Sequence, residues 1–271
     1  MSTNCYGDCS NCASGCDEQK SRDLHIPCGQ YSNVKKVIGV VSGKGGVGKS
    51  TVTSILACAM QSRGYQTAVL DADVTGPSIP KAFGVKGPAE QDATGIIPKE
   101  SRLGIRIMSV NLLLEDEEAP VVWRGPVISG VIQQFWSDVA WGDVDFMLVD
   151  MPPGTGDVPL TVFQSLPLDG IIIVTTPQDL VTMIVKKAYN MANLMNIPVL
   201  GIVENMSYAL CPDCGRKIEI FGQSKAQEIA DGLGVPLLAQ LPIVDSGAVE
   251  LANDDGFSEA AQMLERMIKD D

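Results

Sequence analysis

From residue 36 onward, short apolar runs alternate with longer stretches in which apolar residues recur at helical spacing. The runs at 37–41, 68–70, 146–149 and 171–174 have the length and composition of buried strands. The segment 127–136 places its apolar residues three and four positions apart, as amphipathic helices do. Strands that alternate with helices predict a doubly wound α/β fold, in which a mostly parallel sheet is covered on both faces.

The first 33 residues depart from this pattern, because they hold few large apolar side chains and cannot form a hydrophobic core. We therefore predict a cysteine-rich N-terminal tail at 1–33 and a single domain at 34–271. The tail contains five cysteines: Cys5, Cys9, Cys12, Cys16 and Cys28. The first four could hold an iron–sulfur cluster or zinc, either of which can order a short segment, but their spacing matches no common pattern and the tail could also bind nothing. Radical enzymes that use S-adenosylmethionine share part of this spacing, but there it belongs to a barrel fold.

Composition limits the classes of function. The net charge of −13 argues against a broad basic face for nucleic acid or anionic lipid. No apolar run approaches the ~20 residues that span a bilayer, and the N-terminus lacks the apolar segment of a signal peptide. We expect a cytoplasmic protein that binds neither nucleic acid nor membrane. Because cytosolic thiols are kept reduced, the eight cysteines favour metal or cluster ligation over disulfides.

A glycine-rich loop follows the first predicted strand and leads into a helix that begins near Lys49. Residues 43–50 match the phosphate-loop pattern G-x-x-x-x-G-K-[ST] at every fixed position. In such a loop, backbone N–H groups bind phosphate oxygens, Lys49 reaches the β and γ phosphates, and the Ser50 hydroxyl binds Mg²⁺. A second lysine, Lys44, is expected to reach a nucleotide that is bound by a partner subunit. The predicted nucleotide-binding residues of the loop are Gly43, Lys44, Gly45, Gly46, Val47, Gly48, Lys49, Ser50 and Thr51.

Two further predicted strands end in acids. Asp71 and Asp73 follow the run at 68–70, and Asp150 ends the run at 146–149. Because the carboxyl ends of parallel strands lie beside the phosphate loop, we expect these carboxylates to face the γ phosphate and its metal. Asp73 would then orient the attacking water, and Asp150 would hold Mg²⁺ through water. In the Pro-Pro-Gly segment that follows, the N–H of Gly154 is predicted to sense the γ phosphate.

The predicted strand at 199–205 ends in Asn205, which we expect to recognise the adenine edge. The guanine signature Asn-Lys-x-Asp is absent from the sequence, so ATP is favoured over GTP. A C-P-x-C-G loop follows, with Cys211 and Cys214. Two thiols are half of a site: a zinc knuckle would need two further ligands, and a symmetric dimer would bring four thiolates together for one [4Fe–4S] cluster or one zinc.

The loop with its extra lysine resembles the deviant Walker A motif of the MinD/ParA and nitrogenase iron protein group of dimeric ATPases. With the Asp-Ala-Asp, Trp-Arg-Gly-Pro and Asp-Met-Pro-Pro-Gly motifs and the cysteine pair, the chain from about residue 35 resembles the Mrp/ApbC-type iron–sulfur cluster carrier ATPases. That resemblance implies a homodimer that binds and slowly hydrolyses ATP, bridges a labile [4Fe–4S] cluster between its C-x-x-C loops, and transfers it from cluster donors to apo-proteins.

Two other functions remain open from the sequence. A MinD/ParA-like positioning ATPase acts by binding membrane or DNA, so it would need a basic or amphipathic surface. It would give the cysteines no role. An electron-transferring reductase like the nitrogenase iron protein also bridges a cluster across a dimer, but its cluster cysteines lie near the switch segments. Iron content separates the carrier and the reductase from the positioning ATPase, and redox-coupled ATP turnover separates the reductase from the carrier.

Overall fold

The computed structural model describes residues 25–74, 76–114, 125–177, 181–243 and 258–269. The strands are β1 (Ser32–Ser42), β2 (Thr67–Asp71), β3 (Glu90–Asp92), β4 (Gly95–Ile97), β5 (Lys99–Glu100), β6 (Arg106–Met108), β7 (Gly142–Asp150), β8 (Gly170–Thr175), β9 (Val199–Leu210), β10 (Lys217–Ile218) and β11 (Leu237–Pro242). The helices are α1 (Lys49–Ser62), α2 (Ile79–Ala82), α3 (Gly125–Ser137), α4 (Asp157–Ser165), α5 (Val181–Leu194), α6 (Ala226–Leu233) and α7 (Ser258–Lys269), with a 3₁₀ turn at Val110–Leu113.

The central sheet has the strand order β10-β9-β8-β1-β7-β2-β6-β5, and β11 pairs with the outer edge of β9. Its core strands are parallel, while β5 and β10 pair antiparallel with β6 and β9. The predicted doubly wound α/β sheet is therefore confirmed. The strand β1, which leads into the glycine-rich loop, lies in the middle, between β7 and β8.

Helices cover both faces of this sheet. Val52 and Ile55 of α1 and Leu264 of α7 belong to one apolar core. Residues of α3, α4, α5 and α6, among them Ile132 and Val185, belong to the core on the opposite face. Burial on both faces explains why the middle residues of β2 and β8 form continuous apolar runs rather than alternating with polar residues.

The domain begins earlier than residue 34. The strand β1 starts at Ser32, and the described residues before it pack on the domain: the N–H of Ile26 donates to the Ser165 carbonyl, and Trp136 Nε1 donates to the Ile26 carbonyl. Cys28 is half-buried against the same core, and burial raises the pKa of its thiol. In the described residues, no helix is long and apolar enough to cross a membrane.

Candidate nucleotide site and cysteine pair

The loop between β1 and α1 has the backbone shape of a phosphate loop. Gly46 and Gly48 have φ angles of 80° and 75°, in the left-handed region that favours glycine. A Cβ at Gly48 would also collide with Nδ2 of Asn205. By contrast, nothing lies within 4 Å of a Cβ built at Gly45 or Gly46, so the turn of the loop is open. Open backbone at the N-terminus of α1 suits it to bind phosphate.

Lys49 and Asp150 form a buried ion pair at the base of this loop. The Nζ atom of Lys49 lies 2.7 Å from Asp150 Oδ1 and 3.7 Å from Asp73 Oδ2, and the Lys49 side chain is 5% exposed. The hydroxyl of Ser50 donates to Asp150 Oδ2 at 2.6 Å. The predicted residues of β2, β7 and the loop are therefore brought together. A hydroxyl beside carboxylates offers the oxygen ligands that Mg²⁺ prefers, so these residues fit a Mg²⁺-bound nucleotide.

Asp71 does not face this opening, contrary to the expectation from the sequence. Its side chain is fully buried, Oδ2 accepts a hydrogen bond from Ser109 Oγ at 3.0 Å, and Oδ1 accepts one from the N–H of Asp73 at 3.2 Å. Asp71 is the last residue of β2 and is buried within the sheet, whereas Asp73 lies two residues beyond the end of the strand. Burial, and then the neighbouring Asp150 carboxylate, hold the pKa of Asp71 well above its usual range. Asp71 thus supports the backbone of Asp73 and leaves the opening to Asp73.

Replacing Asp71 should change how stability depends on pH. A carboxyl group whose pKa is raised on folding contributes most below its unfolded pKa of about 4, and the contribution is lost as the pH rises through the folded value. The amide introduced by Asp71→Asn cannot ionise. We therefore expect the unfolding free energy of the nucleotide-free variant to fall less than that of wild type as the pH rises above about 4. Urea unfolding at a series of pH values measures this difference from wild type.

A matched control is the exposed Asp92, whose pKa is lowered by hydrogen bonds from the side chain and backbone of Thr94. Its contribution has the opposite sign, being present above about pH 4 and lost on acidification. Asp92→Asn should therefore lose stability relative to wild type as the pH rises. If the Asp71→Asn curve ran parallel to that of wild type across the series, the buried carboxylate would have no such role.

The N–H of Gly154 is already hydrogen-bonded within the protein, whereas the sequence predicted that it would sense the γ phosphate. Its N–H donates to the Ser42 carbonyl at the end of β1, with an N···O distance of 2.8 Å. A γ phosphate could receive this N–H only if the segment moved away from Ser42. Gly154 has a φ of 91°, and the next residues, Thr155 and Gly156, are exposed, so the described segment can pivot with little loss of packing.

Asn205 contacts the phosphate loop directly. Its Nδ2 donates to the Val47 carbonyl at 2.9 Å, and the side chain is buried. Asn205 therefore lies beside the phosphate loop and supports its backbone, while recognition of the adenine edge stays a prediction.

The strand β9 does not end at Asn205 but continues to Leu210 through a bulge. Glu204 pairs with Gln240 and Tyr208 with Pro242, so β9 spans four positions where β11 spans two. Met206, within the bulge, has a φ of 57°, which is unfavourable for a residue with a side chain. Ser207 Oγ and Gln240 Nε2 both donate to the buried Glu204 carboxylate and hold the bulge together.

Cys211 and Cys214 lie in the turn that joins β9 to β10. The N–H of Cys211 donates to the Arg216 carbonyl and the N–H of Gly215 to the Cys211 carbonyl, which closes the turn. Hydrogen bonds from the backbone N–H groups of Asp213 and Cys214, and then from the Cys214 side chain, lower the pKa of Cys211. A thiol with a lowered pKa is readily available as the thiolate that metals bind.

The surroundings of the turn are apolar and open. Four large apolar side chains are between 43% and 57% exposed there: Leu210, Ile218, Ile220 and Phe221. No group of three or more His, Cys, Asp or Glu side chains in the described parts of the chain could hold a metal ion. The pair therefore lacks further ligands from the described part of its own chain.

Some predicted residues lie outside the described part of the chain. These are the tail cysteines Cys5, Cys9, Cys12 and Cys16, and Trp123 and Arg124 of the Trp-Arg-Gly-Pro motif. Conversely, the structure identifies Thr53 as a partner of Asp150 and Ser109 as a partner of Asp71, and neither partner was predicted from the sequence. For Thr53 a signal exists, because it follows Lys49 by four residues and so lies on the same face of α1, one helical turn later.

The chain is similar to known iron-transfer and nucleotide-binding proteins. The family model of ParA type described as NUBPL iron-transfer P-loop NTPase matches residues 33–269. An iron-sulfur cluster carrier protein of Clostridium perfringens is 46% identical over 256 residues, which cover 88% of this chain and 89% of that protein. The nucleotide-binding protein from Archaeoglobus fulgidus, solved in complex with ADP, is 44% identical, with a TM-score of 0.72 over 83% of this chain and 88% of that one.

The cell division ATPase MinD of Pyrococcus furiosus shares the fold, with a TM-score of 0.61 over 86% of this chain and 98% of that one, at 22% identity. At this identity the likeness concerns the fold alone. The match over most of the chain and the identity to close relatives confirm the resemblance found in the sequence. The chain belongs to the NUBPL iron-transfer P-loop NTPases of the ParA type.

Proposed function

We propose that the protein is an ATP-binding and ATP-hydrolysing carrier that assembles a [4Fe–4S] cluster between two copies of the chain and transfers it to apo-proteins. One observation carries this proposal. The chain presents a pair of thiols, one with a lowered pKa, on an exposed turn at the end of the strand that contacts the phosphate loop. Relatives that share almost half of its residues are named iron-sulfur cluster carrier proteins.

The dimer follows from the ligand count. A [4Fe–4S] cluster takes four thiolates, whereas the described part of one chain offers two at this turn. Two copies related by a twofold axis would supply four, and the exposed apolar side chains beside the turn would be covered in the same contact. A cluster held in this way depends on the interface and can be released when the interface changes.

The nucleotide site would control that interface. Lys49 and Lys44 neutralise phosphate charge, Lys44 at the nucleotide of the partner, while Ser50 and Asp150 hold Mg²⁺ directly or through water. Asp73 orients the attacking water, Gly154 senses the γ phosphate after leaving Ser42, and Asn205 recognises adenine. Turnover would be Mg²⁺-dependent and slow. The proposed location is the cytoplasm, with cluster donors and iron–sulfur apo-proteins as partners.

The tail would hold a separate site. Cys5, Cys9, Cys12 and Cys16 come from one chain, so a cluster or zinc bound by them would not depend on the dimer interface. Such a site would be permanent, whereas the bridging site would be labile.

Anaerobic reconstitution with iron and sulfide tests the proposal. Wild type should hold about four more iron atoms per two chains than Cys211→Ala/Cys214→Ala, and should sediment as a dimer. A chain lacking residues 1–24 isolates the bridging site, and the cut spares residues 26–33, which pack on the domain. Stoichiometric zinc without sulfide or iron–thiolate absorbance would contradict the carrier function. ATP turnover coupled to a change in cluster oxidation state would favour a reductase instead.

Asp73→Asn should lose most ATP turnover but keep nucleotide affinity. Asp73 lies at the opening, 3.7 Å from Lys49 Nζ, where it can accept a hydrogen bond from water, and the substitution keeps its size. Phosphate release and equilibrium ATP binding measured on the same preparation separate the two effects. Turnover at the wild-type rate would remove Asp73 from the proposed mechanism.

A further inference from the structure

We propose that Thr53 is a positioning residue for Asp150 and that it sets the affinity of the site for Mg²⁺ in the presence of ATP. Thr53 lies one turn after Lys49 in α1 and is fully buried. Its Oγ1 lies 2.8 Å from Asp150 Oδ1 and 3.1 Å from the carbonyl oxygen of Lys49. The inference rests on the proposed ATP-binding function, and concerns a residue to which that function assigns no role.

Three side chains hold the Asp150 carboxylate in the described structure. Lys49 and Thr53 contact Oδ1, and Ser50 contacts Oδ2. Asp150 itself is fully buried in the nucleotide-free structure, so bulk water does not contact its carboxylate there. The orientation of the carboxylate therefore depends on these contacts alone among the described residues.

Two of the three contacts compete with nucleotide. The ammonium group of a phosphate-loop lysine binds the β and γ phosphates, and the hydroxyl of the following serine binds Mg²⁺. When Lys49 and Ser50 take these partners, their contacts with Asp150 weaken. Thr53 has no such alternative, because it is buried below the loop and its hydroxyl can reach only Asp150 and the backbone carbonyl of Lys49.

The Thr53 hydroxyl also determines which oxygen of the Asp150 carboxylate faces the cation site. It has one hydrogen, and the shorter of its two contacts is to Oδ1. With Oδ1 held by Thr53, Oδ2 stays on the side of Ser50, where the cation would bind. Without that hydroxyl the carboxylate could turn about its last torsion, which is broad, and its affinity for Mg²⁺ or Mg²⁺-bound water would fall.

Thr53→Val tests this, because valine keeps the shape of threonine and removes only the hydroxyl. Equilibrium binding of ATP to the full chain is titrated with Mg²⁺ and repeated in EDTA. We expect the Mg²⁺ concentration at the binding midpoint to rise about tenfold in Thr53→Val, as loss of an outer-shell partner typically causes, with unchanged ATP affinity in EDTA. Thr53→Ser should restore the wild-type midpoint, since serine returns the hydroxyl.

Ser54 supplies a matched control. It is the next residue of α1, is fully buried, and donates its hydroxyl hydrogen bond to the Ser50 carbonyl at 2.8 Å rather than to Asp150. Ser54→Ala should keep the wild-type Mg²⁺ midpoint. If Thr53→Val does not fold, Thr53→Ala is measured in the same way.

Two outcomes would overturn the role of Thr53. One is a wild-type Mg²⁺ midpoint in Thr53→Val. The other is an equal loss of ATP affinity in Mg²⁺ and in EDTA, which indicates general damage to α1. A wild-type chain that fails to bind ATP would instead overturn the proposed function, so the two failures are distinguishable.

Discussion

Cys211→Ala and Cys214→Ala are each expected to abolish transfer of a cluster to an acceptor protein. Each substitution removes two of the four thiolates from a symmetric bridging site, one from each subunit, and the described part of the chain offers no replacement ligand nearby. Transfer is measured as activation of an apo-protein after anaerobic reconstitution, together with the iron retained by the carrier. Iron bound by the tail should remain in both variants, since its four thiolates are unchanged.

Cys28→Ser is the matched control for the substitutions at Cys211 and Cys214. Cys28 is half-buried near the start of β1, at the opposite end of this strand from the phosphate loop. Burial raises the pKa of its thiol, whereas the pKa of Cys211 is lowered. Cys28→Ser should transfer cluster like wild type. Substitutions at Cys5, Cys9, Cys12 or Cys16 should lower total iron with less effect on transfer. Wild-type transfer by Cys211→Ala would contradict the bridging site.

Lys49→Met is expected to lose both ATP turnover and nucleotide affinity, and to be less stable without nucleotide. The substitution removes a cation from the phosphate cradle and leaves the buried Asp150 without its 2.7 Å ion-pair partner. Breaking a buried pair on one side costs about 3–5 kcal/mol. Nucleotide affinity and urea unfolding of the nucleotide-free chain measure the two effects.

Lys44→Met provides the comparison within the same loop. Lys44 is only partly buried, so its removal should lower turnover, through its proposed contact with the nucleotide of the partner, while leaving unfolding free energy near that of wild type. A Lys49→Met chain as stable as Lys44→Met would mean that the Lys49–Asp150 pair contributes little to the nucleotide-free fold.

Local pattern was sufficient to predict the phosphate loop and its strand. The glycines at the left-handed positions, the lysine and the following hydroxyl occur within eight residues, and the apolar run before them can only be a buried strand. The doubly wound sheet also followed from alternation, because parallel strands need helical crossovers.

Features that depend on contacts between distant residues were not predictable in this way. Asp71 and Asp73 look alike in sequence, but Ser109 on the neighbouring β6 side of the sheet binds only the first and leaves the second at the opening. The bulge in β9 depends on the hydrogen bond from Gln240 of β11 to Glu204, which lies 36 residues earlier in the chain. The sequence around Met206 did not predict its left-handed backbone conformation. The strand therefore seemed to end at Asn205.

The continuation of β9 to Leu210 fixes the spacing between the two chemistries of the molecule. Asn205, which contacts the phosphate loop, lies in β9, and Cys211 follows directly after the end of this strand. Side chains of a strand alternate between faces, so the insertion or deletion of a single residue after the bulge would turn Cys211 to the opposite side of the hairpin. We therefore expect this short connection to tolerate substitutions better than a change of length, which most surface loops accept.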